Sequence, residues 1–151
     1  MRHIETVRNY IAGIITDLML RQEQHDQTKL EPPEVDIFEV YTPKLRNCVY
    51  GSDEYKQFMA EMEPAIDHHN KNNRHHPEHF GGGIMGMNLI DLIEMLCDWK
   101  AATLRHNTGD IYKSLEINQK RFGYSDEVKQ LFKNTIIWLE SGKTYHKANE
   151  S

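Results

Sequence analysis

The sequence predicts an all-α fold, on the strength of three observations. Apolar residues recur at three- and four-residue spacing along several long segments, as they do on the buried face of a helix. No segment shows the regular alternation of apolar and polar residues that is typical of a half-buried strand. Capping and helix-breaking residues separate the helical segments from one another. We therefore expect one compact helical domain over residues 1–151, with a frayed tail at residues 142–151.

The first helix is predicted over residues 2–24, and it places His3 and His25 on one face. If this helix is unbroken, it separates the two histidines by roughly 33 Å, at about 1.5 Å per residue. With an unbroken helix, His3 either serves another site or reaches the His25 region from a neighbouring subunit. The alternative is a helix that breaks near Gly13 and allows both histidines to bind one metal. The heptad-like stripe of this helix also fits a homodimer, although a helix that faces the core has the same pattern.

Prolines and capping residues set the expected boundaries of the next helices. Pro32-Pro33 ends the first element, and a second helix is expected to begin near Pro33. Residues 42–55 are interpreted as a connection, after which Ser52 caps a helix over about 53–62. Pro64 then opens a further helix.

The strongest helical pattern covers residues 89–106, with Asn88 as its N-cap. Residues 70–83 precede it and form a loop by composition, because they contain several Asn, a Pro and three consecutive Gly. The last two helices are expected over about 111–121 and 126–140, capped by Asp110 and Ser125.

Composition and charge argue against several functions. A net charge of -5 disfavours an extended nucleic-acid surface or an anionic-membrane surface. No apolar run reaches about 18 residues, and the N-terminus lacks the apolar core of a signal peptide. Cys48 and Cys97 have no metal-type spacing, and Cys97 lies in an apolar run where we expect a buried thiol. We expect a reduced, cytoplasmic protein without a membrane partner.

Five of the nine histidines lie between residues 68 and 79. Imidazole and carboxylate are ligands that divalent metals accept in proteins, so this cluster predicts a metal cofactor, with Mn, Fe, Zn, Co and Mg as candidates. A solvated surface loop is the alternative interpretation. Adjacent residues on a helix point about 100° apart, so we expect the first two histidines to have different roles. The members of the cluster are His68, His69, His75, His76 and His79.

Carboxylates elsewhere in the chain extend the candidate site. His25-Asp26 stands at the end of the first helix, where adjacent side chains can converge on one ion; an exposed helix end is the alternative. Asp98 lies in an apolar run and therefore either faces solvent or is buried with a partner such as a metal. Glu94 shares its face one turn earlier, as a more doubtful ligand. Asp91 is interpreted as a helix N-terminal residue that interacts with the helix dipole.

The order His…His-Asp-x-x-Lys…His-His…Asp on an all-α chain resembles the HD superfamily of metal-dependent phosphohydrolases. HDQTKLEPPE is similar to the HD-x-x-K stretch of its HD-GYP branch, and HHPEHFGGGIMG to the His-rich loop of that branch, without the Gly-Tyr-Pro. The resemblance implies that Lys29 takes the phosphate or polarises the attacking water. His3 matches the first histidine of the superfamily by order, but its spacing to the His-Asp pair is shorter. The metal ligands that the resemblance implies are His25, Asp26 and Asp98, completed from the histidine cluster, for which we take His69 and His75.

A second resemblance covers nearly the whole chain. The segments HIETVRNYI, HDQTKLEPPE, PAIDHH, NRHHPEHF and MNLIDLIEMLCDWKAAT are similar to an uncharacterised family of small proteins. That family is frequent in phage and bacterial genomes and is classed as a domain of unknown function. This resemblance implies a shared fold but no activity.

These patterns together favour a metal-dependent phosphohydrolase that acts on a nucleotide or another small phosphate ester. The metal would lower the pKa of a water molecule, and His76 or Glu78 would move protons. Lys29, with Arg74 or Arg105, would hold the phosphate. Two further classes stay open: a di-iron HD-type oxygenase, and a non-catalytic, metal-stabilised module that binds a nucleotide or a protein, such as a phage-encoded modulator.

Overall fold

The computed structural model describes residues 2–49, 51–105 and 107–142. Within these ranges the chain forms six α-helices and no strand, which confirms the all-α prediction. Residues 143–151 of the predicted tail lie outside the described residues. The helices are α1 (Arg2–Gln24), α2 (Glu34–Asn47), α3 (Asp53–Asn72), α4 (Leu89–Thr103), α5 (Ile111–Phe122) and α6 (Asp126–Ser141), with short 3₁₀ helices at Gln27–Leu30, Pro77–His79 and Gly83–Gly86.

The chain divides into two compact units, Met1–Glu94 and Met95–Ser151, and each is described by itself. The single domain expected from the sequence stays a prediction. None of the helices in the described ranges combines the length and the apolar character that a membrane span requires.

α1 is one continuous helix that passes through Gly13 without a break. His3 therefore lies in the first turn of α1 and His25 follows its last residue, so that roughly 33 Å of helix rise separates them. The alternative in which a break at Gly13 brings the two histidines together is wrong. A single glycine lowers helix stability by only about 1 kcal/mol, which a helix of 23 residues can accommodate.

Two prolines lie inside helices rather than at helix ends. Pro43 is within α2 and Pro64 is within α3. The connection expected from residue 42 therefore begins only after Asn47, and the two helices expected on either side of Pro64 are one. Both prolines are exposed, so water can bind the carbonyl group that each leaves without an intrahelical partner.

The predicted N-caps are confirmed. The Ser52 hydroxyl accepts a hydrogen bond from Tyr55 N at 3.1 Å, and Asn88 Oδ1 accepts one from Asp91 N at 2.9 Å. The Asp110 and Ser125 side chains accept from backbone N–H groups in the first turns of α5 and α6. Each cap supplies an acceptor to an N–H group that has no partner within its helix.

The second unit has an apolar core. Trp99 stacks on Phe122, with 6.0 Å between ring centroids, and contacts Phe132 edge to face. Cys97 is exposed rather than buried as expected, because it lies on the opposite side of α4 from buried Met95. Among the described residues of this unit, the buried hydrophobic ones are Met95, Leu96, Ile111, Leu115, Tyr124, Phe132 and Ile136.

The first unit has a polar core. Among its described residues, the buried apolar ones are Met62, Ala65 and Pro77, and more of the buried residues are ionisable than apolar. Buried ionisable groups need partners, because their transfer from water is costly. The interior of this unit must therefore be stabilised by specific polar interactions. These buried ionisable residues are Glu34, His69, His75 and Asp91.

Candidate metal centre

A tight turn after α1 directs Asp26 into the first unit. Asp26 has the left-handed backbone conformation, with φ 58° and ψ 16°. Asp is one of the few residues besides glycine that adopts this conformation readily. The turn is closed by a hydrogen bond from Lys29 N to Asp26 O at 2.9 Å. The His25-Asp26 pair is thus held in the turn between α1 and the 3₁₀ helix Gln27–Leu30.

The C-terminal half of α3 and the residues that follow it supply the histidines. His69 lies on the same face of α3 as Met62 and Ala65, at helical spacing, and all three are buried. α3 ends at Asn72, where the Asn73 side chain donates to His69 O at 2.8 Å. The chain then leaves the helix and places His75 and His76 beside His69, with ring centroids of His69 and His76 4.8 Å apart.

Four side chains converge on one point. Asp26, His69, His75 and His76 each offer one ligand atom, and these atoms lie within 4.8 Å of one another. Asp26 Oδ1 is 3.2 Å from His69 Nε2 and 3.3 Å from His75 Nε2. Three nitrogens and one carboxylate oxygen form a donor set that suits borderline divalent metals such as Zn, Mn, Fe and Co.

Several of the converging atoms are buried without hydrogen bonds. Within the described residues, no hydrogen-bond partner is present for Asp26 Oδ1, His69 Nε2 or His76 Nε2. The 3.2 Å approach of the first two atoms thus lacks the angles of a hydrogen bond. Buried polar atoms are normally satisfied, so atoms that face one another in this way fit a cation placed between them.

Glu34 contacts the Nδ1 atoms of both histidines of α3. This fully buried carboxylate lies 2.8 Å from His69 Nδ1 and 2.7 Å from His68 Nδ1. Because a carboxylate only accepts, the Nδ1–H of His69 donates to Glu34, and in this tautomer of the imidazole the lone pair lies at Nε2. This is the carboxylate–histidine arrangement that orients ligands in metal proteins. His68 and His69 therefore differ in role: His69 points into the cluster, and His68 binds the supporting carboxylate.

Glu94 supports the other side of the cluster in the same way. Its Oε1 lies 3.1 Å from His75 Nδ1 and 3.0 Å from His25 Nδ1, and its Oε2 accepts from Arg21 Nη1 at 2.8 Å. His25 Nε2 is 3.5 Å from Asp26 Oδ2, and Lys29 Nζ lies 2.6 Å from the same oxygen. Oδ2 of Asp26 is thus bound by a cationic side chain, whereas Oδ1 faces the histidines.

The charges of the cluster favour metal-binding protonation states. Burial would raise the pKa of Asp26, but His69 and His75, when protonated, and Lys29 hold it far below its usual range. Burial lowers the pKa of His76 to about 3, helped by repulsion from His75 and His69. Glu94 is also buried in part, yet His75, His25 and Arg21 lower its pKa to about 2. At neutral pH the carboxylates are ionised and His76 is neutral, as metal ligation requires.

Asp91 ties three segments of the first unit together. Its buried carboxylate accepts from Arg74 Nε at 3.0 Å, from Arg21 Nη2 at 2.9 Å and from Asn88 N at 3.0 Å. Burial would raise the pKa of Asp91, but the bonds from Arg74, Asn88 and Arg21 outweigh it and lower the pKa. Asp91 was expected only to interact with the dipole at the helix N-terminus. In the structure it also positions Arg21 and Arg74.

A polar cleft of about 420 Å³ opens beside the cluster. This volume is within the range of small-molecule sites. His75 and Glu94 form the part of its wall that reaches the candidate metal centre. The other lining residues are Arg21, Gln24, Gln27, Thr28, Asn72, Asn73 and Arg74.

The structure brings together some of the site residues predicted from the sequence. Asp26, His69 and His75 converge as predicted ligands, and His76, predicted as a proton carrier, converges with them. His25 and Lys29 contact Asp26.

The remaining predicted site residues lie outside this cluster or in the other unit. Arg74 lines the cleft, and Glu78 is exposed on the 3₁₀ helix that follows the cluster. Asp98 lies on the part of α4 in the second unit, and Arg105 is exposed just after that helix. Their roles as metal ligand and phosphate contact stay predictions.

Sequence reasoning missed Glu34 altogether. An acidic residue in the first turn of a helix is ordinarily explained by the helix dipole, and Glu34 is the first residue of α2. Its distance of 34 residues from His68 gives no local signal. The one available hint is that the histidines of a metal site need carboxylates or carbonyls on their second nitrogens.

A family model matches residues 1–144, and its description is a family of unknown function, DUF5662. No curated protein matches the chain. No solved structure matches it either.

Proposed function

We propose that this chain, which belongs to DUF5662, a family of unknown function, is a metal-dependent phosphohydrolase that acts on a nucleotide or another small phosphate ester. The observation that carries the proposal is the convergence of Asp26, His69, His75 and His76 within 4.8 Å, next to a polar cleft of about 420 Å³. A divalent metal fits this donor set, because buried Asp26 Oδ1, His69 Nε2 and His76 Nε2 have no hydrogen-bond partner in the described part of the chain.

The residues around the centre would prepare it for binding. Glu34 and Glu94 fix the tautomers and ring orientations of His69 and His75, so that Nε2 of each ring faces the ion. Lys29 occupies Oδ2 of Asp26 and leaves Oδ1 for the metal.

When bound, a divalent metal would lower the pKa of a water molecule and polarise a phosphoryl oxygen. The cleft supplies the groups that orient a substrate beside it. Arg74 is 44% exposed despite its bonds to Asp91 and can present part of its guanidinium to a phosphate. If His76 is a metal ligand, the proton-transfer role expected for it would fall to Glu78, the second residue predicted for that role, which is exposed.

Metal analysis of purified variants tests the centre. We expect about one metal ion per chain in the wild type, and a large loss in Asp26→Ala and in His69→Ala. His3→Ala is the matched control, since His3 lies at the far end of α1 and should leave the metal content unchanged. Equal metal content in all four proteins would overturn the assignment of the centre.

A hydrolysis screen then tests the activity. The metal-loaded wild type should release phosphate or a nucleoside from at least one member of a panel of nucleotides and phosphate esters. The rate of this hydrolysis should be at least a hundredfold lower in Asp26→Ala than in the wild type. Turnover that persists unchanged in Asp26→Ala would contradict the proposed mechanism.

A non-catalytic metal-stabilised module is the second candidate function. Four protein ligands can complete the coordination of a tetrahedral ion, as in structural zinc sites, and the core of the first unit is mostly ionisable. This candidate predicts bound metal and a strong loss of thermal stability on metal removal, without turnover of any substrate in the panel.

A further inference from the structure

The first helix carries an apolar seam that the rest of its unit does not bury. α1 extends over 23 residues, and none of them is buried. Ile4, Val7, Ile11 and Ile14 are between 39% and 56% exposed, and Leu18 continues their line. A helix of this kind normally obtains most of its stability from packing of its apolar face.

The spacing of the seam identifies the kind of partner. The five residues from Ile4 to Leu18 follow one another at intervals of three, four, three and four residues, which is the a and d pattern of a coiled coil. No charged residue occupies the seam between these ends. This pattern fits another helix with the same repeat, running alongside it with interlocked side chains.

The exposed area is large enough for an interface between two copies. Together with Ile15 and Tyr10, which flank it, the seam exposes apolar surface on the order of 500 Å² per copy, so that a pair would bury roughly 1,000 Å², the lower limit for a specific interface. The side chains that would be buried are aliphatic or aromatic, as in the centre of stable interfaces.

We propose that two copies of this chain pair through the α1 seam to form a homodimer. The interface would run close to the candidate metal centre. Arg21 occupies the next heptad position after Leu18, and it binds Asp91 and Glu94. Pairing would thereby hold the end of α1 that supports the histidines.

The mass of the wild-type protein in solution is the first test. Sedimentation equilibrium over a wide concentration range should show a species of twice the 17.8 kDa chain mass. A wild-type protein that stays monomeric at every concentration would overturn the proposal, and it would show that the seam is covered by the chain itself or left open. This outcome is independent of the metal content, so it leaves the proposed function untouched.

Two matched variants then locate the interface. Ile14 and Leu20 are each 47% exposed in α1, but Ile14 lies on the seam and Leu20 is on the opposite face of the helix. Ile14→Glu should raise the dissociation constant of the dimer at least a hundredfold, whereas Leu20→Glu should still sediment with the mass of the wild-type dimer. If Ile14→Glu does not fold, as judged by circular dichroism, Val7→Glu tests the same seam. A dimer that survives the seam variants, or that is lost equally in Leu20→Glu, would refute the α1 interface.

Discussion

Replacing Glu34 by Gln should weaken metal binding without touching a ligand. Glu34 is fully buried and accepts hydrogen bonds from His68 Nδ1 at 2.7 Å, His69 Nδ1 at 2.8 Å and Thr28 Oγ1 at 3.1 Å. Gln has nearly the same shape but only one acceptor oxygen, and its amide N–H₂ would face an imidazole N–H that also needs an acceptor. His69 would then lose its fixed orientation towards the cluster.

The expected loss can be stated from the role of the carboxylate. Removal of a group that orients a metal-binding histidine typically lowers metal affinity by about 10- to 100-fold, which corresponds to about 1.4 to 2.7 kcal/mol. Without metal, the same change should also destabilise the fold by about 1–3 kcal/mol, because a buried donor is left without its acceptor.

A competition titration measures the first effect. Metal-depleted protein is titrated with Zn²⁺ in the presence of a chromophoric chelator, and the affinity of Glu34→Gln is compared with that of Glu31→Gln. Glu31 is exposed just before α2, so its variant changes the charge by the same amount and should bind as the wild type does. Affinities of Glu34→Gln and wild type that agree within twofold would refute the supporting role of Glu34.

Two further predictions concern stability. Chelation of the metal should lower the melting temperature. The reason is that a ligand at a hundredfold excess over its dissociation constant stabilises the native state by about 2.7 kcal/mol. Thermal scans that coincide with and without chelator would contradict this. Gly109→Ala should destabilise the protein by more than about 2 kcal/mol in urea unfolding, because a Cβ there would lie 1.7 Å from Thr103 O. Gly81→Ala, where a Cβ meets nothing within 4 Å, should unfold near the wild-type midpoint.

The helices were predictable because their signals are local. Ser52 and Asn88 cap the helices that their positions predict, since a capping side chain acts within three residues of itself. The errors came where tertiary contacts outweigh local preference. Pro64 lies within α3 because the helix continues to pack along α2 on its buried side, whereas the proline itself is exposed.

The candidate site was predictable in its residue types but not in its arrangement. A histidine cluster and a His-Asp pair are enough to predict a metal site from the sequence, as a hypothesis. Which atoms converge depends on where α3 ends. Because the helix ends at Asn72, His76 joins the group of candidate ligands, whereas the sequence had predicted a proton carrier. The carboxylates Glu34 and Glu94 lie 35 and 19 residues along the chain from His69 and His75, so their contacts with these histidines are revealed only by the fold, although the sequence had already marked Glu94 as a doubtful ligand.

Asp91 offers a test of whether the first unit is stabilised by its buried ion pairs. Asp91→Asn keeps the shape of the side chain but removes the charge that Arg21 and Arg74 share. Breaking a fully buried pair costs about 3–5 kcal/mol, but Arg74 is 44% exposed, so a loss on the order of 2 kcal/mol at neutral pH is expected. Asp67→Asn is the control, because Asp67 is exposed and its ion pair with Lys71, at 3.9 Å, should contribute less than about 1 kcal/mol.

The pH dependence of unfolding separates the lost charge from a simple packing defect. The pKa of Asp91 is lowered in the folded state, so its contribution is fully present above the unfolded pKa of about 3.9 and is lost as the pH falls through the lower, folded value. The difference in unfolding free energy between wild type and Asp91→Asn should therefore be constant from neutral pH down to about 4 and shrink below that. Urea unfolding at a series of pH values measures it. A difference that stays the same below pH 4 would show that the variant acts through packing, and that the charge of Asp91 does not stabilise the contacts of Arg21 and Arg74.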